Sequence, residues 1–324
     1  MHLITKYNVV MQKIDQRWKA VGKLSVLTNP KSDLLYAEGL KAAPGSYLKE
    51  DTVKALPRRA LIGRCRICGK TSQLTREHIP PKGSGNKHNT VDYSLGDWLK
   101  KQDITDMGKG RTLQGGIWAY TLCRSCNSLT GRKYGNEYQK WAYGGYKALS
   151  EIPLQELNDK PGPFGQKIQF GVKDHPVRPG ALARQVLSLM CSLSGTWDLS
   201  ETFPEIRDIV LNETAAKLPE SLDLGMTLYS GPRARLAGPQ LRVNIEENSW
   251  EWLMEMAFPP LAFILVLASS KPHPLHGLVM NEWTLRNPQD ELIFRGEVEI
   301  GFGWSPYPGD YRTLAKIQAE ANQD

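Results

Sequence analysis

The chain has 324 residues, 40% of them hydrophobic, and a mean hydropathy of -0.42, which is ample for a sizeable core and, by length, for two domains. Its 29 glycines and 21 prolines are scattered, which excludes a collagenous or disordered chain. The longest apolar run, Met256 to Ala268, contains Pro259-Pro260 and is too short to cross a membrane. The opening residues Met1-His2-Leu3-Ile4-Thr5-Lys6 do not read as an export signal, so a cytoplasmic protein is expected. The net charge of +7 divides unevenly, since residues 1–150 carry 26 Lys/Arg against 11 Asp/Glu and the remainder 15 against 23. A basic first half points to a polyanion, of which nucleic acid is the usual one, with a solvated basic surface as the plain alternative.

In chain order, residues 1–60 form a basic extension with a helix expected over Val9–Val21 and a Pro/Gly-punctuated stretch at 30–57, ending in Arg58-Arg59. Cys65 and Cys68 then make one Cys-x-x-Cys, and Cys123 and Cys126 a second. Cytosolic thiols stay reduced, and a two-residue spacing lets both sulfurs reach one tetrahedral ion, so the pairs predict a structural zinc site. Gly69 allows the tight turn of the first knuckle. The segment Gly63 to Thr71 has five residues between its glycines and is not a phosphate-binding loop. Cys191 lies in an apolar-periodic stretch and reads as a small buried hydrophobe.

Between the pairs lie 54 residues, far more than the roughly 15 to 20 of a zinc ribbon. His78 follows Cys68 by ten residues in Thr75-Arg-Glu-His-Ile-Pro-Pro-Lys82, and Asn127 follows Cys126 directly. This order, Cys-x-x-Cys, then acid-His-Ile-x-Pro, then Cys-x-x-Cys-Asn, resembles the zinc-containing HNH (ββα-metal) nucleases, in particular their endonuclease VII branch, over residues 62–140.

The resemblance implies an α+β fold whose ββα-metal core, at residues 61–150, cleaves phosphodiester bonds in DNA. Glu77 and Asn127 would hold a Mg²⁺ or Mn²⁺ ion as hard oxygen ligands, and His78 would take a proton from water. Glu137, ten residues beyond Asn127, is a further oxygen candidate. The family's first ligand is often Asp where this chain has Glu77, and the Asn that usually precedes the second knuckle, where in such proteins it braces the loop through backbone hydrogen bonds, is missing from Gly115–Tyr120. Plainer readings stand beside these roles: His78 bonded to a backbone carbonyl, Asn127 as a helix N-cap, and Glu77 paired with Arg76 or Lys82 on the surface.

The insert reads as Gly-, Asn- and Lys-rich loops around a short helix near Leu95–Gln102, with His88 exposed. Lys82, Lys87, Lys100, Lys101, Lys109 and Arg111 would line the mouth of the site, and Arg132, Lys133 and Lys140 would continue it, as phosphate contacts without base preference. After an expected linker at Pro161–Gly165, residues 165–324 read as an acidic α+β domain. Helices are expected there at Ala181–Leu193 and Phe203–Ala216, and strands at Met226–Ser230, Leu241–Glu246, Leu261–Ala268, Gly277–Leu285 and Glu291–Phe302. Trp250, Trp252, Trp283 and Trp304 read as core. His175, His273 and His276 sit in proline-rich turns without a further ligand cluster. With no catalytic motif, this half is expected to bind a protein partner, sense a signal or oligomerise. The function expected overall is a metal-dependent endonuclease. Its alternatives are a non-catalytic zinc-knuckle module that binds nucleic acid, or an effector active only within a larger assembly.

Overall fold

The computed structural model describes residues 3–4, 8–14, 17–24, 26–27, 56–59, 62–92, 111–151, 166–195, 197–214, 216–229, 234–244, 249–267 and 277–301. The helix expected near Leu95–Gln102, the linker at 161–165, Lys100, Lys101, Lys109, His273, His276 and Trp304 lie outside them, as do the side chains of Arg111, His175 and Trp250.

Over Val9–Val21 the backbone is extended where a helix is expected: β2 (Asn8–Ile14) pairs antiparallel with β3 (Arg17–Leu24), Ile14 opposite Arg17. The β-branched pair Val9-Val10 favours an extended chain, and Asp15-Gln16 separates two runs instead of completing a helical face. Two flanking strands, β1 (Leu3–Ile4) and β4 (Val26–Leu27), pair in parallel.

The cysteine-bearing region is a small antiparallel sheet followed by a helix. β5 (Ile62–Arg64) and β6 (Thr71–His78) surround the first Cys pair, and β6 pairs in turn with β9 (Trp118–Cys123). Between β6 and β9, β7 (Thr90–Asp92) and β8 (Arg111–Leu113) make a two-stranded ribbon. β9 runs directly into α1 (Arg124–Thr130), which passes through one π-helical turn at Gly131–Gly135 into α2 (Asn136–Ser150).

The second half is built on a seven-stranded sheet made of β10 (Gln166–Val177), β11 (Leu222–Tyr229), β12 (Arg235–Asn244), β13 (Ser249–Phe258), β14 (Leu261–Leu267), β15 (Leu278–Val279) and β16 (Leu292–Gly301). Its order is β10-β16-β11-β14-β13-β12, with β15 beside β11, and β11–β16 is its parallel contact. β10 and β13 fall outside the strands expected from the sequence. The expected strand Gly277–Leu285 stops after two residues and becomes a 3-10 turn at Asn281–Leu285. The Asn281 side chain drives that change: it accepts a hydrogen bond from the Leu224 amide and donates to Asp223. The helix expected over Phe203–Ala216 is likewise shorter: it is α5 (Pro204–Leu211), preceded by a single turn, α4 (Leu199–Thr202), outside the expected range.

Helix α3 (Pro179–Leu193) is buried along its whole length, as expected of a helix apolar nearly all round. Its one cation, Arg184, is satisfied by backbone carbonyls of Gly180, Asn212, Thr214 and Arg286. One continuous apolar core joins the two halves: Ile67, Ile79 and Leu122 beside the cysteines, Leu182, Val186 and Met190 on α3, and Leu224, Met226 and Phe263 from the sheet. Each such side chain contributes about 1.5–3 kcal/mol by leaving water, so the cysteine-bearing region rests on α3 as part of the same hydrophobic unit. The other face of the sheet carries its own cluster, with Leu253, Ala257, Ile264 and Val266. Among the described residues no helix is long and apolar enough to cross a membrane.

Candidate metal centre and the His78 face

The four cysteines converge. Cys65 and Cys68 lie in the turn between β5 and β6, where Gly69 takes φ +72° and donates to the Cys65 carbonyl. Cys123 ends β9, and Cys126 lies in the first turn of α1. All four sulfurs are within 4.8 Å of one another, and Cys68 Sγ is 3.8 Å from Cys123 Sγ. With Zn–S bonds near 2.3 Å, a tetrahedral ZnS₄ centre has an S···S edge of about 3.8 Å. The cluster can therefore hold a metal such as zinc. Without one the thiols compete: a hydrogen bond from Cys126 draws Cys65 down to about 5, and the same contact holds the Cys126 thiol far above its ordinary value. A divalent ion removes that conflict by letting all four ligate as thiolates. Cys191 is buried, and burial pushes its thiol up, in keeping with a packing role.

Around the cysteines, the pleat of β6 and β9 sorts side chains onto two faces. Glu77 stands opposite Ala119, while Arg76 stands opposite Tyr120 and His78 opposite Trp118. Glu77 and Ala119 face the interior and are almost fully buried; Arg76 is exposed, and His78, Trp118 and Tyr120 are half-buried.

The Glu77 carboxylate lies inside the protein. Its Oε2 accepts from Thr121 Oγ1 at 2.9 Å and from Ser192 Oγ, on α3, at 2.6 Å. Burial raises its pKa to about 7 against the pull of those two hydroxyls. This geometry corrects two expectations: Glu77 neither faces a substrate-side divalent ion nor pairs with Arg76 or Lys82 on the surface. The reason is the strand's alternation, which turns neighbouring side chains to opposite faces.

His78 ends β6 on the outward face, and its Nε2 lies 3.0 Å from the Gly115 carbonyl. Since a carbonyl only accepts, Nε2 carries the proton and Nδ1 keeps its lone pair. Burial lowers the His78 pKa, reinforced by Arg76 and Lys82 and opposed by the Gly115 bond, so the ring is a neutral base at pH 7. Asn127 lies within α1, whose N-cap is Cys123, and is therefore not a cap. Its Nδ2 donates to Thr75 Oγ1 and the Arg76 carbonyl, both at 3.0 Å, which clips α1 to β6 one residue from the Glu77–His78 pair.

Glu137 is fully buried and committed elsewhere: it accepts from Trp141 Nε1, from the Arg178 amide and from Arg178 Nε. It fastens α2 to the start of α3 and is not a metal ligand in this geometry. Lys133 is paired with Glu213 and Lys140 donates to the Pro176 carbonyl, so both tie down the second half. Lys82, Lys87, His88 and Arg132 are exposed. Arg64 and Arg66, beside Cys65, are also taken inward: Arg64 reaches Asp198 and Glu201, and Arg66 donates to the Ser192 carbonyl.

Asn86 is the residue that the sequence pattern misses. It is buried, its Nδ2 donates to the Pro80 and Ile117 carbonyls, and its Oδ1 accepts from the Ile117 amide. This is the loop-bracing work sought from an Asn within Gly115–Tyr120, supplied from the loop after His78. The braced turn also requires glycine, because Gly116 has φ +92° and a Cβ there would stand 2.2 Å from the Asn86 carbonyl oxygen.

No family model matches the chain, and neither a curated protein nor a solved structure is significantly similar to it.

Proposed function

We propose that the protein is an HNH-type endonuclease that hydrolyses phosphodiester bonds in DNA, with His78 as the base. The observation that carries this reading is the His78 imidazole itself: neutral at pH 7, fixed by Gly115 with Nδ1 free, and set on the outward face of a hairpin pinned by four cysteines. Such a nitrogen can take a proton from an attacking water. The exposed cation Lys82, whose charge is felt at His78, supplies a phosphate contact there, and the exposed Lys87 and Arg132 are further candidates for such contacts. Zinc closes its shell with four sulfurs and has a structural role. A catalytic Mg²⁺ or Mn²⁺ held jointly by Glu77 and Asn127 does not fit, because Glu77 is buried and occupied by two hydroxyls.

That same burial favours a second reading, a zinc-stabilised module that binds nucleic acid without cutting it. A plasmid nicking assay with Mg²⁺ or Mn²⁺ separates the two. The nuclease reading expects nicking by the parent protein and loss of at least about a hundredfold in His78→Ala, the scale of general-base catalysis, with zinc content and DNA binding retained. Equal nicking by His78→Ala removes His78 as the base, and an inert parent leaves the binding module.

A further inference from the structure

The register of β6 and β9 places four side chains together on the outward face: Arg76 opposite Tyr120, and His78 opposite Trp118. Cross-strand neighbours on one face stand about 4.5–5.5 Å apart at Cβ, so this is a contiguous patch of two aromatics, a guanidinium and an imidazole. It is also held in place. The Gln114 carbonyl accepts from Arg76 Nη2 at 3.2 Å and from Trp118 Nε1 at 3.1 Å, while the next carbonyl, Gly115, meets His78 Nε2. Behind this turn, Asn89 accepts from the Gly115 amide and Asn86 brackets Ile117. The Arg76 guanidinium lies 4.2 Å from the centre of the Trp118 ring and the Arg58 guanidinium 5.7 Å from it, and Tyr120 meets that ring edge-on at 5.8 Å. Trp118 stays partly exposed, whereas Trp141, Trp252 and Trp283 are buried in the core.

A half-exposed indole flanked by two guanidiniums, the nearer that of Arg76, on a sheet surface and one cross-strand step from a histidine, has the composition of a platform on which an unpaired base stacks against the indole or the Arg76 guanidinium plane. Every base offers a π-face for stacking, and the cation reaches the adjoining phosphate. In a duplex those base faces are already covered by their neighbours. We propose that the Arg76–Trp118 pair binds single-stranded nucleic acid by stacking on an unpaired base, which sets the neighbouring phosphate beside His78. This rests on the nucleic-acid reading above and narrows its substrate to strands with unpaired bases.

The test is fluorescence anisotropy of the full chain with labelled 12-nucleotide single strands, of DNA and of RNA, and with a blunt DNA duplex, without added divalent ions. The parent should bind at least one single strand better than the duplex. Trp118→Leu should weaken that binding about tenfold through the lost base stacking and leave duplex binding unchanged, and Trp118→Phe should retain most of it. If Trp118→Leu, with zinc retained, binds single strands as the parent does, the proposal is overturned. It is likewise overturned if the parent binds duplex as well as single strands, and in that case the nuclease reading survives. A parent that binds neither overturns both. Should Trp118→Leu lose its zinc, Arg76→Gln at an exposed position carries the same test: severalfold weaker single-strand binding supports the platform, and unchanged binding overturns it.

Discussion

The two faces of the β6–β9 hairpin differ more than their sequences suggest. On the inward face Glu77 meets Thr121 and Ser192 in a dry setting, and its charge is opposed by burial. On the outward face, one residue along, half-buried His78 meets the Gly115 carbonyl, feels the charges of Arg76 and Lys82, and stands across from Trp118. Adjacent residues of an acid-His pair thus belong to different environments, and the pair is a unit in sequence only. The same contrast runs through the basic residues. Arg64, Arg66 and Lys133 are spent on holding the two halves together, while Arg76, Lys82, Lys87 and Arg132 stay outside. Part of the charge asymmetry between the halves is therefore cancelled internally, by Asp198, Glu201 and Glu213.

The largest test of this contrast removes what holds both faces. Cys123→Ser leaves three sulfurs, and zinc content measured by mass spectrometry should fall from stoichiometric to near zero. Structural zinc is worth on the order of 10 kcal/mol in small modules. The hairpin should therefore lose its hydrogen-exchange protection, and α3 should lose part of its own through the shared core. Retained protection without metal would show that packing on α3 suffices. A smaller effect, on the outward face alone, is expected from Asn86→Ala. It leaves the Ile117 amide and two carbonyls without their partner, a loss on the order of 3 kcal/mol, read as a lower melting temperature. Because the freed turn carries the Gly115 carbonyl, any nicking activity should fall as well. Unchanged activity together with a lowered melting temperature would separate the brace from the His78 orientation.

How much of this could be read from the sequence follows from distance along the chain. The cysteine pairs were legible because ligand spacing within each knuckle is local, and the contact between the pairs follows from metal chemistry. Helix α3 and most strands of the sheet were legible as apolar runs. A backbone carbonyl as the partner of His78 was among the readings open from the sequence, and the structure bears it out; that the carbonyl is Gly115, and that Glu77 turns inward, was not legible, since both depend on the register of β6 against a strand some forty residues later. Ser192, more than a hundred residues from Glu77, carries no local signal at all. The Val9–Val21 segment was misread because its spacing suits a helical face as well as a hairpin, and only the pairing of β2 with β3 decides between them. The bracing Asn was sought beside the second knuckle, where a family pattern puts it, yet the fold needs only that its amide reach Ile117, and Asn86 does so from the other side.

The smallest expected effect bears on the inward face and has a definite sign. With its pKa raised from 4.5 to about 7, Glu77 holds a proton in the folded protein between those values that the unfolded chain has released. The folded state binds more protons there, so stability falls as pH rises from about 4.5 to 7 and is lowest, on this account, above 7. A shift of that size corresponds to roughly 3 kcal/mol, an upper value because Arg66 and the two hydroxyls respond to the charge. Glu77→Gln keeps an oxygen able to accept from Thr121 and Ser192 and removes the ionisation. Its urea midpoint at pH 8 should equal or exceed that of the parent, the advantage should vanish by pH 4.5, and zinc content should not change. A parent more stable than Glu77→Gln at pH 8 would mean that the carboxylate is wanted as an anion, and would return Glu77 to the metal-binding role that its burial argues against.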